Sequence, residues 1–123
     1  FGDDQAGLDA VAWYSANAGQ RPHAVGGKTA SPWGLFDIYG NLVEWVWDWY
    51  GPYPDRSERN PAGPSSGNAK SARGGSFSGR AKNSRSADRL KRAPQRRGVH
   101  FGMRLVRDVT VPEEMPDEMA PAE

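Results

Sequence analysis

Cysteine is absent from the 123 residues. Disulfides, thiolate metal ligands and thiol nucleophiles are thereby excluded for this chain, and with them any mark of its redox compartment. Histidine is scarce. His23 and His100 are the only imidazoles, and no H-x-x-H or H-x-x-x-H pair exists to grip a metal. No run approaches the roughly 18 consecutive apolar residues that a membrane-spanning helix needs. Long helices are disfavoured as well, because 15 Gly and 10 Pro punctuate the chain. No secretory or transit pattern is read at the start. The chain opens on Phe1 rather than Met, as expected of a processed product, a fragment or an incomplete chain.

Aromatic residues are plentiful by contrast. Five Trp, four Tyr and four Phe argue against a fully disordered chain, and the length suits one small domain. The net charge of +1 hides three blocks. Residues 1–69 carry four Lys/Arg against eight Asp/Glu, a net of −4. Residues 70–107 carry twelve Lys/Arg against Asp88 alone, a net of +11. Residues 108–123 carry six acids and no base. The middle block suits an anionic partner such as an acidic protein surface, or else its arginines pair with acids of the other blocks or face water. Within it Phe77 and Phe101 are the only aromatics, too few for the stacking platforms of a single-strand binder, so nucleic acid is not expected.

Along the chain, Asp9 to Asn17 fits a short helix or an extended turn, with Gly19 as a stop. Residues 44–50 (EWVWDWY) alternate, which predicts a strand with Trp45, Trp47 and Trp49 on one face, a row that reads as core. Gly51 to Lys70, with Pro52, Pro54, Pro61 and Pro64, reads as a long ordered loop. Residues 72–77 (ARGGSF) read as a short strand whose Gly74-Gly75 allows close backbone approach. Residues 101–106 (FGMRLV) read as a closing strand, and 108–123 as an acidic, Pro-rich flexible tail. The class is α+β, with short strands and long loops. Arg85, Arg89 and Arg104 read as ion-pair staples of such a fold. Ser76 and Ser78 have no base near them in sequence, and ARGGSF is not a nucleophile elbow.

Residues 33–50 (WGLFDIYGNLVEWVWDWY) resemble the signature of the formylglycine-generating enzyme and sulfatase-modifying-factor family. His23-Ala-Val-Gly26, Arg73-Gly-Gly-Ser-Phe77, Arg85-Ser-Ala-Asp-Arg89 and Phe101-Gly-Met-Arg-Leu-Val106 resemble further family elements, in order. The resemblance implies a loop-rich, C-type-lectin-like fold with short antiparallel strands, of which residues 1–107 would be the C-terminal half. The family's copper-dependent oxidases need a cysteine pair between the RGGS and R-x-A-x-R elements. Here that interval is Ser78-Gly-Arg-Ala-Lys-Asn-Ser84, so copper is not expected and the formylglycine-forming oxidation is excluded for this chain.

In calcium-binding members the equivalent of residues 37–44 supplies the ligands. The resemblance therefore implies Ca²⁺ held by the Asp37 and Glu44 carboxylates and the Gly40 and Leu42 carbonyls, a hard-oxygen set. Without a metal, Glu44 needs another partner such as Arg104. Residues 78–100 match the family's variable, exposed segment, which implies a binding face of Arg80, Lys82, Arg92, Arg96 and Arg97. The family's first half is missing, so strand edges and the Trp face need covering by that half as a separate chain or by another subunit. The resemblance also favours an exported or periplasmic setting. The residues lean towards a non-catalytic binding or structural subunit of a larger assembly. One alternative is part of a metal-dependent oxidase or tailoring enzyme whose catalytic groups lie on the missing half or a partner. A second is a ligand-binding lectin-like variable protein with a basic face.

Overall fold

The computed structural model describes residues 5–107. The expected tail, 108–123, lies outside the described residues, as do residues 1–4. Among the described residues no helix is long and apolar enough to cross a membrane.

The chain opens with α1 (Gln5–Val11) and runs directly into β1 (Ala12–Trp13). Seven residues cannot hold a helix in water by themselves. Here α1 is held by burial: Leu8 is 1% exposed and packs with Ala12 and Tyr14 against Val11, Tyr39 and Ala81. Of the helix or extended turn expected over 9–17, the helix covers only the first residues, up to Val11. Ala12 and Trp13 pair instead, in parallel, with β2 (Tyr39–Gly40), and this long-range ladder overrides local helix preference. The rest of that segment is a turn, in which the Asn17 side chain accepts from the Tyr14 N–H at 2.9 Å.

The second sheet has the order β5-β4-β3-β6. Its central strands are β3 (Val43–Trp49) and β4 (Lys70–Arg73), which run antiparallel. β5 (Leu90–Arg92) adds antiparallel to β4, and β6 (Phe101–Met103) adds parallel to β3. A 3₁₀ turn, Ala81–Ser84, lies between β4 and β5. No helix or strand interrupts 50–69, as the prolines imply. β4 ends where Gly74 and Gly75 turn to φ +92° and +77°; a Cβ on Gly75 would meet the Ser84 hydroxyl at 2.8 Å. The closing strand is shorter than expected, and Leu105 and Val106 beyond it are exposed.

β3 is a strand, but its Trp row is not core. Trp47 is 87% exposed, and Trp45 and Trp49 are half-buried. The reason is a register shift between Trp45 and Trp49 in the ladder to β4. A bulge of this kind turns the strand and breaks period two. Lys70, the register partner of Trp49, closes the irregular stretch. Its ammonium donates to the Trp47 carbonyl at 2.6 Å and lies 3.8 Å from the Trp49 ring centroid.

Asn41 ties the two sheets together. It is 4% exposed and adopts φ +58°. Its N–H donates to the Trp13 carbonyl (2.7 Å) and its carbonyl accepts from the Phe77 N–H (2.8 Å). Its side chain accepts from the His23 N–H (2.9 Å) and donates to the His23 carbonyl (3.0 Å). Next to it, Gly40 has φ +72°, and a Cβ there would strike the Trp13 backbone, whose carbonyl carbon would be 2.8 Å away. Replacing Asn41 with Ala removes both amide bonds and puts a less tolerant residue at positive φ. We expect Asn41→Ala to lower unfolding free energy by about 2–4 kcal/mol in chemical denaturation.

Candidate functional site

The stretch from Asp37 to Asn41, around β2, is built from backbone that few residues tolerate. Asp37, Gly40 and Asn41 all have positive φ, at +56°, +72° and +58°. The curl carries Asp37 to one side of an open cleft of about 420 Å³ and Glu44, on β3, to its floor. Val25, Leu35, Phe36 and Met103 form apolar walls, each well exposed at the mouth.

The two carboxylates differ in their partners. Glu44 is bound side-on by Arg104, with Nη2 to Oε1 at 2.7 Å and Nε to Oε2 at 3.1 Å. Arg104 Nη2 also donates to the Phe36 carbonyl at 2.8 Å, fixing the cleft wall to the segment after β6. The Glu44 hydrogen bond pushes the Arg104 guanidinium above its ordinary pKa. Partial burial opposes this, and the charges of Glu44 and Asp37 reinforce it. Asp37 Oδ2 accepts from the Gly26 N–H at 2.7 Å. Asp37 Oδ1 is buried with no donor, the only charged group among the four buried side-chain atoms left unpaired in the described residues.

An orphaned anionic oxygen beside a curled turn is what a hard cation would relieve. Asp37 therefore fits the expected calcium ligand. Glu44 already receives Arg104 on both oxygens, yet each carboxylate oxygen keeps a further lone pair. Leu42 is half-buried, its side chain lying against Gly102. Among the described residues no three His, Asp or Glu side chains cluster as a metal site.

The basic segment is arranged differently from the expectation in two respects. Arg80, Lys82, Arg96 and Arg97 are exposed, whereas Arg92, on β5, is half-buried and donates to the Lys91 carbonyl at 2.8 Å. Arg104 makes an ion pair, but Arg85 and Arg89 make none among the described residues. Arg85 donates to the Lys82 carbonyl (3.1 Å). Arg89 donates to the Gly51 carbonyl (2.7 Å) and lies 3.7 Å from the Tyr53 ring centroid. The cause is local supply: Asp88 is the block's one acid, and it accepts from the Asn83 amide (3.3 Å).

Folding also creates a contact with no sequence signal. The Ser78 hydroxyl lies 3.3 Å from His100 Nδ1 and 3.3 Å from the Ser76 hydroxyl, and His100 stacks on Phe77. The serine and histidine are 22 positions apart. Among the described residues no acid hydrogen-bonds the ring, so they supply no third member of a nucleophilic triad. His23 is structural: it stacks on Trp13, centroids 3.8 Å apart, and its Nε2 bonds the Ala18 carbonyl.

The model of the sulfatase-modifying factor enzyme 1-like domain matches residues 2–109. The solved structure of Treponema denticola variable protein 1 superimposes with a TM-score of 0.77 at 34% identity, covering 81% of this chain and 37% of that one. The fold is thus the C-type-lectin-like one of the formylglycine-generating type. A serine/threonine-protein kinase pkn1 of Chlamydia caviae is 32% identical over 84 residues, which is 65% of this chain and 14% of the kinase. The chaperone protein LppX of Paenibacillus barcinonensis is 33% identical over 67 residues, 41% of this chain and 24% of the chaperone. The chain therefore spans about a seventh of the kinase and a quarter of the chaperone.

The Glu44–Arg104 pair is partly solvated, its side chains 25% and 34% exposed, so its worth is that of a well-aligned surface pair. A double-mutant cycle with Glu44→Gln and Arg104→Gln should give a coupling of about 1 kcal/mol, shrinking in high salt.

Proposed function

We propose, for a chain that belongs to the sulfatase-modifying factor enzyme 1-like family, that it is a non-catalytic binding module of a larger assembly. The observation that carries this reading is the exposed set of Arg80, Lys82, Arg96 and Arg97, none with a carboxylate partner among the described residues. Such a face attracts an acidic protein surface through many weak pairs, which speed encounter more than they deepen affinity. Support comes from the likeness to a variable protein and from the larger proteins in which similar segments occur. The absence of cysteine removes the copper-binding thiolates that the family's oxidation requires. A partner chain or the family's first half would cover exposed Trp47 and the free sheet edges.

Calcium belongs to the same proposal as a structural ion. Asp37, Glu44 and the carbonyls of Gly40 and Leu42 would hold it, and it would neutralise the unpaired Asp37 oxygen. The Arg104 charge close by weakens any cation there, so modest affinity is expected.

Two measurements test the reading. Poly-glutamate, as an acidic probe, should bind with an affinity that falls steeply with salt and falls about tenfold or more when the four exposed cations become Ser. Binding indifferent to salt and to these changes overturns the basic face. Millimolar CaCl₂ should raise the melting temperature of the protein by several degrees over EDTA, and Asp37→Asn should abolish the rise. Equal melting temperatures with and without calcium remove the ion from the proposal.

A further inference from the structure

A second cleft, of about 280 Å³, lies on the other flank of β3 and is walled by the 51–64 loop. Arg73 from β4 and Arg89 from the start of β5 both line it, beside Tyr53 and Asp48. Both residues are half-buried, and neither has a carboxylate partner among the described residues. Each is nevertheless held in place. Arg73 donates to the Ser86 carbonyl (2.7 Å) and to the Tyr53 hydroxyl (3.0 Å). Arg89 is fixed by the Gly51 carbonyl and by the Tyr53 ring. A guanidinium has five N–H donors, so both forks retain free donors after these bonds.

Two immobilised, uncompensated guanidiniums in one cleft suit a carboxylate, because the ordering of both side chains precedes binding. The other charges in the cleft narrow the ligand. Arg56 and Glu58 neutralise each other at 3.3 Å. Asp48 makes no ion pair among the described residues. It would repel the second charge of a phosphate or dicarboxylate and attract an ammonium. Proline rings and the Tyr53 face supply apolar wall. We propose that this cleft binds an apolar α-amino acid as its zwitterion, with the carboxylate on Arg73 and Arg89 and the ammonium at Asp48. The proposal is independent of the basic face and of calcium.

Calorimetric titration of the intact chain with L-phenylalanine tests it, with 3-phenylpropionate, phenethylamine and inorganic phosphate as separate arms. The expected result is saturable binding of L-phenylalanine, with each of the other three weaker by about tenfold or more. Arg89→Gln and Asp48→Asn should each weaken L-phenylalanine by a similar factor. Circular dichroism checks both variants for folding, and if Arg89→Gln does not fold, Asp48→Asn decides. Phosphate binding as tightly as L-phenylalanine, unchanged affinity in Asp48→Asn, or no saturation by the wild-type chain would overturn the assignment.

Discussion

Asn41 is the constraint on which the rest depends. One buried residue joins Trp13 of the first sheet, His23 of the intervening loop and Phe77 beyond β4, using its N–H, its carbonyl and both ends of its amide. A chain with two-residue strands and a seven-residue helix has little ladder of its own. Four hydrogen bonds from one buried side chain and its backbone replace what longer elements would provide. The geometry tolerates few substitutes. The residue must accept positive φ and present a donor and an acceptor to the backbone of one residue, His23, and Asn does both.

The core reflects the same economy of structure. Among the described residues four of the eight buried apolar ones are alanine, Ala12, Ala18, Ala69 and Ala72. Small side chains let backbones approach, so packing is by close contact of segments rather than by large buried surfaces. The tight approaches at Gly40 and Gly75 belong to this pattern. Because the fold brings main chain against main chain, the curled turn at 37–41 can set Asp37 and Glu44 about one cleft.

Among the described residues, cations are mostly not paired with acids. Of the twelve Lys/Arg of residues 70–107, Arg104 alone makes an ion pair among the described residues. Arg73, Arg85 and Arg89 turn to carbonyl oxygens, and Lys70 and Arg89 also to aromatic faces. Such contacts position a cation without cancelling its charge. The basic face and the second cleft therefore keep their field, while the Glu44–Arg104 pair stands apart as the neutralised link between β3 and the segment after β6.

Residues alone pointed to the family through ordered motifs, to a strand over 44–50 through alternation, to an irregular loop over 51–70 through its prolines, and to the exclusion of thiolate chemistry through the lack of cysteine. These are local or compositional properties, legible because each residue carries its own signal. Helix placement near the N-terminus, the exposure of Trp47 and the carbonyl partner of Arg89 came from the tertiary contacts. So did the meeting of Ser78 with His100 and the orphaned Asp37 oxygen. Each depends on which segment 10 to 70 positions away comes to lie alongside, and neither periodicity nor spacing records that. In a chain held by single hydrogen bonds between loops, the partner of a side chain is a property of the whole fold.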